Sequence, residues 1–330
     1  MCELQHVSRQ NPIIVCPWKY SEPRKSAVRV PWCASLRSPV RLRELPIARQ
    51  LWGRRVATAQ TRPHLQLTQS TMTNADIPDT QTKSKTGIKV VIVGAGFGGL
   101  TAAIECHIQG HDVVVLEAFP ALKPLGDIIS FGSNAGHIFH RWSDGYISRK
   151  FRPLCIEVPY FDIRKYDGEK ILKQATPPRN ADWPVFNGHR GELHMIVFDY
   201  AKDVLGIPIR TGCKVVEYFE DSKGAGVVLE SGEKVTGDVV IGSDGVRSKA
   251  RELVLGYVDK PKSSGYAIFR AWFSAEPLLA DPMTRGFVEN GDTFTGWLGQ
   301  DVHFLVAVLK GGKDISWVLT HKVNLSNDFS

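Results

Sequence analysis

The sequence predicts an α/β protein: a doubly wound parallel sheet with an antiparallel β-sheet layer beside it. Three observations predict it. A β-branched run at residues 90–93 leads into a glycine cluster and then into a segment with helical spacing of apolar residues. A second apolar run, 239–241, also ends in a glycine turn. The last third of the chain alternates apolar and polar residues in short stretches between turn residues.

The first unit is the most informative. Residues 90–93 suit a strand buried on both faces. Gly94, Gly96 and Gly99 then fit G-x-G-x-x-G, and Leu100, Ile104 and Ile108 fall on one helical face that Gly110 ends. Residues 113–116 make a second buried strand, closed by Glu117. Gly94 permits a sharp turn off the strand, Gly96 lets a pyrophosphate approach the backbone, and Gly99 lets helix and strand pack closely. The N–H groups at the helix start face the phosphate charge. Glu117 stands about 20 residues on, where an acid accepts hydrogen bonds from a ribose diol. The unit predicts a bound dinucleotide and leaves FAD and NAD both open.

The remaining elements follow in order. Residues 1–86 form a leader with scattered prolines and no sustained period, for which disorder is expected. About 12 Lys and Arg against 3 Asp and Glu fall in residues 1–70, so that stretch carries about +9, the rest about −2, and the body is close to neutral. That balance gives no support to nucleic-acid binding. The leader is read either as an extra stretch upstream of a true start at Met72 or as an Arg-rich transit peptide, so the expected location is cytoplasmic, with mitochondrial as the alternative. Six cysteines without C-x-x-C spacing give neither a disulfide framework nor a metal site. No apolar run reaches the roughly 20 residues of a membrane helix.

Past Glu117, Gly126 and Ile128 lie in a loop, and Ser133 or Asn134 is expected to cap a short helix carrying Ile138 and Phe139 inward. Residues 156–160 and 166–174 read as two strands of the antiparallel layer, with Asp167-Gly168 near the start of the second. A helix opens at His189-Arg190 with Leu193, Ile196, Val197 and Tyr200 on one side. An arginine at that end suits an external anion or a solvated surface. Strands are expected at 207–210, 214–219, 226–230 and 239–241. The turn Asp244-Gly245 lies at the carboxyl end of the last, where α/β sheets bind ligands. Further strands are expected at 265–273, 285–289, 293–298, 302–309 and 315–321, all antiparallel. Arg270 is a cation inside the aromatic first of these. Residues 87–150 and 180–260 therefore read as a discontinuous nucleotide-binding domain, and 151–179 with 261–330 as a substrate-side sheet.

Taken together, Gly94-x-Gly96-x-x-Gly99 with Glu117, His189-Arg190-x-x-Leu193, and Gly237-Asp238 through Asp244-Gly245-x-x-Ser248-x-x-Arg251 resemble the FAD-dependent aromatic monooxygenases, most of all fungal salicylate-hydroxylase-like enzymes. The resemblance implies that FAD is the cofactor and NADPH or NADH a transient reductant. O2 and a small phenolic or polyketide-like aromatic substrate are the other reactants. It gives Glu117 the adenosine ribose, Arg190 an FAD contact, and Asp244 and Gly245 contacts to FAD and the reductant. Gly126 and Ile128 fall in a loop near the flavin, where relatives usually have Gly-Ala-Gly. Arg270 is the implied catalytic residue, stabilising a phenolate or pairing with a substrate carboxylate; no metal is implied. The family's later Gly-Asp-Ala motif does not occur in these 330 residues. The expectation is therefore a fragment, a truncated reading, or a product that holds FAD weakly. An NAD-dependent dehydrogenase and a non-catalytic flavoprotein fragment stay open as alternatives.

Overall fold

The computed structural model describes residues 82–176, 182–222 and 224–323, together with the strand Ile13–Val15. That strand is β1. It pairs in parallel with the strand at 239–242, and the Lys83 and Thr86 N–H groups donate to the Ile108 and Gly110 carbonyls at 3.0 Å, so the expected disorder of the leader does not hold for residues 13–15 and 82–86; the rest of the leader lies outside the described residues.

The nucleotide-type unit forms as its sequence dictates. β2 (Lys89–Val93), α1 (Phe97–Ile108) and β3 (Asp112–Leu116) run as a strand–helix–strand unit whose strands pair in parallel. Strand alternation divides its side chains between two cores. Val90 and Ile92 face Leu100, Ala103 and Ile104 of α1, whereas Val91 and Val93 face the opposite side. Both strands are buried on both faces, which is why they read as unbroken apolar runs.

β4 (Ile128–Phe131) leads into α2 (Ser133–Arg141) and α3 (Tyr146–Phe151). The N-cap of α2 is Gly132, and neither Ser133 nor Asn134 caps it: both already lie inside the first helical turn. Phe139 is buried as expected, within an aromatic cluster with Phe131, Phe151 and Phe186. β5 (Tyr160–Lys165) and β6 (Lys170–Ala175) form a hairpin that starts four residues later than the sequence reading places it. Asp167-Gly168 is the connecting turn rather than part of the second strand. Gly168 takes φ +96°, a conformation that suits a turn and not a strand.

β7 (Phe186–His189), absent from the sequence reading, pairs antiparallel with β4 and feeds directly into α4 (Arg190–Asp199). Leu193, Val197 and Tyr200 are buried along that helix and its one-turn extension, while Ile196 is half-buried. β8 (Ile209–Arg210), β9 (Val215–Asp221), β10 (Gly224–Leu229), β11 (Lys234–Gly237) and β12 (Val239–Gly242) follow, then α5 (Ala250–Leu255).

The parallel sheet has the order β1-β12-β2-β3-β8. Its helical face carries α1 and α4. Its other face is closed mainly by the antiparallel sheet β11-β10-β9, whose Tyr218, Val227, Leu229 and Val235 pack on Val91, Val93, Leu116 and Val240.

The largest sheet combines β13 (Tyr266–Ser274), β14 (Thr293–Gly299), β15 (Val302–Leu309) and β16 (Asp314–Lys322) with the earlier hairpin, in the order β13-β16-β15-β14-β5-β6. It is antiparallel except between β14 and β5, which run parallel. The strand expected at 285–289 is instead a short 3-10 turn, Arg285–Phe287. The N–H groups of Thr284 and Arg285 are drawn back to the Asp281 carbonyl, at 3.1 and 2.9 Å, and cannot join a ladder. α6 (Glu276–Ala280) precedes that turn.

Candidate functional site

Two groups of predicted residues come together at the carboxyl ends of β2, β3 and β12. The first is built on the glycine loop. Gly94 has φ +100°, and a Cβ there would stand 2.4 Å from the Ser243 carbonyl oxygen. A Cβ on Gly99 would stand 1.9 Å from the Gly94 carbonyl. The loop is therefore pressed between its own helix and the Ser243–Asp244 backbone, and Ser243 N–H donates to the Val93 carbonyl at 2.8 Å. Gly96 differs: it is extended, and a Cβ on it would meet no heavy atom within 4 Å. It is also the N-cap of α1, which has neither a capping side chain nor an acid in its first turn. Such an end presents backbone N–H groups to an incoming anion.

Glu117 is buried, 8 % exposed, at the end of β3. Its Oε2 accepts from Ala95 N–H at 2.8 Å and its Oε1 from Phe119 N–H at 2.9 Å. One hydrogen bond on each oxygen leaves lone pairs for a diol. Across the loop, Asp244 Oδ2 accepts from the Tyr218 hydroxyl at 3.0 Å and from Lys249 N–H at 2.9 Å. Its Oδ1 and the Ser243 hydroxyl are buried with no hydrogen-bond partner among the described residues. Burial and the Asp244 carboxylate both push the Tyr218 phenol up, so it stays a neutral donor. Gly245 opens the next turn at φ +79° with open space over its Cα. Ser248 Oγ accepts from Arg251 N–H at 3.2 Å, as its position before that helix predicts.

The second group lies around the start of α4. The loop of residues 123–127 rests against it so closely that a Cβ on Gly191 would sit 2.3 Å from Pro124 and one on Gly126 2.9 Å from Arg190 Cβ. Arg190 N–H donates to the Asp127 carbonyl at 2.7 Å. The Arg190 side chain is exposed, and its guanidinium makes no hydrogen bond or ion pair with any described residue. Ile128 pairs with His189 across β4 and β7.

Arg270, on edge strand β13, reaches this loop: its Nη1 lies 3.1 Å from Asp127 Oδ2. Asp127 is 9 % exposed and Arg270 is 60 % exposed, so the carboxylate is the sheltered partner. The two groups are joined by His194, whose Nε2 donates to the Ala95 carbonyl at 2.6 Å and whose ring stands edge-on to Phe97. Burial holds the His194 imidazole below its ordinary pKa.

Sequence reasoning missed Asp127, Ser243 and Tyr218 and took His189 and His194 as packing or surface histidines rather than ligands. Asp127 was visible as a charge inside a glycine loop; the partners of the other four lie far away in sequence. A cleft of about 470 Å³ flanks β4 and β7, lined by Ile156, Val158, Phe161, Phe186, Asn187 and Phe294 among others. Phe161 and Phe294 stack at 4.4 Å in its wall. Ile156, Val158 and Phe294 share an apolar cluster with Ile128 and Trp272, and neither Arg270 nor Asp127 lines the cleft.

Comparison with known proteins agrees with this geometry. A family model described as FAD binding domain matches residues 89–123, the glycine loop, α1, β3 and Glu117. The asperlicin C monooxygenase of Petromyces alliaceus is 37 % identical over 242 residues, which is 72 % of this chain and 51 % of that protein. The FAD-dependent monooxygenase nanF of Aspergillus nanangensis is 36 % identical over 250 residues, 74 % of this chain and 53 % of that one. Among solved structures, CtdE in complex with FAD and substrate 4 superposes with a TM-score of 0.68 at 34 % identity, covering 74 % of this chain and 58 % of that chain. The chain thus spans about half the length of the curated relatives it matches. The chain has the FAD/NAD(P)-binding fold of the FAD-dependent monooxygenases, and fungal members of that group are its relatives.

Proposed function

We propose that this chain carries the cofactor and substrate-side machinery of a flavin monooxygenase that hydroxylates a phenolic or polyketide-like aromatic molecule with O2 and NADPH or NADH. Bound FAD supplies the redox chemistry, taking electrons from the nicotinamide and activating O2. The residues supply placement. Gly94, Gly96 and Gly99 and the start of α1 hold the diphosphate, and Glu117 accepts from the adenosine ribose. Arg190 offers its unpaired guanidinium to a cofactor phosphate. Asp244 and the open turn at Gly245 contact the cofactor at the end of β12. Gly126 and Ile128 line the loop beside the flavin ring. The observation that carries the proposal is the 3.1 Å ion pair, which brings the substrate-side Arg270 onto that loop.

In this reading Arg270 is the catalytic residue. It stabilises the negative charge that develops on the substrate oxygen as the phenol loses its proton, which makes the ring carbon a better nucleophile, and Asp127 aims it. The paired carboxylate cancels the charge of Arg270, which favours a neutral phenol or enol over a carboxylate-bearing ring. The relatives' names fit oxygenation of natural products: asperlicin C is named for one and notoamide E for another.

The test is direct. Purified protein supplied with FAD is expected to hold a yellow chromophore and to consume O2 when NADPH or NADH is added. Arg270→Met is expected to keep the chromophore and lose turnover on a panel of phenols. A colourless protein that binds NADH tightly would overturn the proposal in favour of a dehydrogenase. A yellow protein inert towards O2 would leave a flavin-binding, non-catalytic chain.

A further inference from the structure

Lys310 stands out by its backbone. The turn between β15 and β16 holds three consecutive residues at positive φ: Lys310 (56°), Gly311 (71°) and Gly312 (85°). Glycine adopts that region without cost, whereas a lysine there is strained by about 1 kcal/mol. The side chain accounts for the choice. Its Nζ lies 2.8 Å from Glu192 Oε1 and 2.9 Å from Asp314 Oδ2, and 5.7 Å from the centre of the Trp272 ring. It is 21 % exposed. Burial alone would lower its pKa, but hydrogen bonds to the two carboxylates outweigh burial and raise it.

Each partner leads back to the candidate site. Trp272 Nε1 donates to Asp314 Oδ2 at 3.2 Å, and Trp272 lies two residues beyond Arg270 on β13. Its ring meets His189 edge-on at 4.7 Å. His189 Nε2 donates to the Gly126 carbonyl at 3.1 Å, which leaves Nδ1 to accept from Glu192 N–H at 3.2 Å. Lys310, Glu192, His189, the Gly126–Asp127 loop, Arg270 and Trp272 therefore close one ring of contacts between the cofactor-side helix α4 and the substrate-side sheet.

We propose that Lys310 is a positioning residue: by bridging Glu192 to Asp314 it fixes β13 against the start of α4 and so holds Arg270 over the loop of residues 126–128. The inference rests on the flavin reading for its consequence, but its geometry stands apart from it.

Three variants test it in the full chain, with FAD as the probe. Lys310→Gly relieves the backbone strain while removing the clamp, Lys310→Met removes the charge and keeps the stem, and Lys310→Arg keeps the charge. Amide hydrogen exchange is read at residues 125–128 and 266–274, alongside FAD affinity and the visible flavin spectrum. The expected result is exchange at least tenfold faster at both segments in the Gly and Met variants. FAD affinity is expected to fall about tenfold and the flavin bands to shift, with thermal stability of the Gly variant near the parent. The Arg variant should restore all three. Parent-like exchange in both the Gly and Met variants would overturn the clamp. If the parent itself takes up no FAD, the flavin reading fails, while the exchange data still decide the clamp.

Discussion

Three glycines of one loop should respond to alanine in two different ways. In Gly99→Ala the new Cβ would stand 1.9 Å from the Gly94 carbonyl oxygen, against 3.4 Å for ordinary contact, so backbone must move by about 1.5 Å. Overpacking of that kind costs about 1–3 kcal/mol. Gly94→Ala meets the Ser243 carbonyl at 2.4 Å and adds the strain of φ +100°, so its cost is of the same order or larger. At about 2–4 °C per kcal/mol, both should lower the midpoint of thermal unfolding by several degrees without any cofactor present. Gly96→Ala meets nothing within 4 Å in an extended backbone, so it should leave that midpoint unchanged or raise it slightly, by up to about 1 kcal/mol. Its methyl group would nevertheless occupy the approach to the N–H groups of α1. Losing one or two charge-assisted hydrogen bonds costs about 3 kcal/mol, on the order of a hundredfold in FAD affinity. The assays are a thermal melt of the cofactor-free protein and a titration of FAD followed by flavin fluorescence. A Gly96→Ala protein that melts early, or that binds FAD as the parent does, would refute the argument.

The other expectations concern buried titratable groups. His194 is held below its usual pKa chiefly by burial, so its contribution to stability is present above about pH 6.5 and is lost as pH falls through the lower folded value. Unfolding midpoints should drop between about pH 7 and pH 5, and His194→Gln should flatten that slope; an unchanged slope contradicts the assignment. Burial pushes the Cys155 thiol up to about 12. Thiol-directed alkylation at pH 8, read by mass spectrometry, should therefore spare Cys155 until the protein is unfolded, and a native-state adduct there would refute its burial. Tyr218→Phe removes the hydroxyl donor to Asp244. It should cost about 1–2 kcal/mol in stability and weaken FAD binding, and a neutral result would mean that water replaces the phenol.

The parts of this structure legible in the sequence are those built from near neighbours. The β2–α1–β3 unit and Glu117 could be placed because strand, turn, helix and acid follow one another within about 30 residues. The Asp244-Gly245 turn was legible for the same reason. Arg270 was singled out through resemblance alone, since a cation on an edge strand faces water as easily as a site. What brings it to the site is Asp127, some 140 residues earlier, and no local pattern encodes that meeting. β7 escaped notice because Phe186-Asn187-Gly188-His189 has weak strand propensity and pairs only because β4 lies beside it. The 285–289 segment was misread for the opposite reason: its residues tolerate a strand, but carbonyls a few positions upstream capture its amides first.

The direct touch between Gly94 and the Ser243 carbonyl has a temporal side. The two positions are about 150 residues apart in the chain, yet neither surface is complete without the other. Synthesis proceeds from the N-terminus, so the first strand and its helix can emerge and collapse long before their counterpart exists. Until then the glycine loop has only one wall. On the proposed reading, flavin capture is tied to the late pairing of β12 with β2, and a ribosome stalled between the two would carry a chain able to form the motif but not to keep its cofactor.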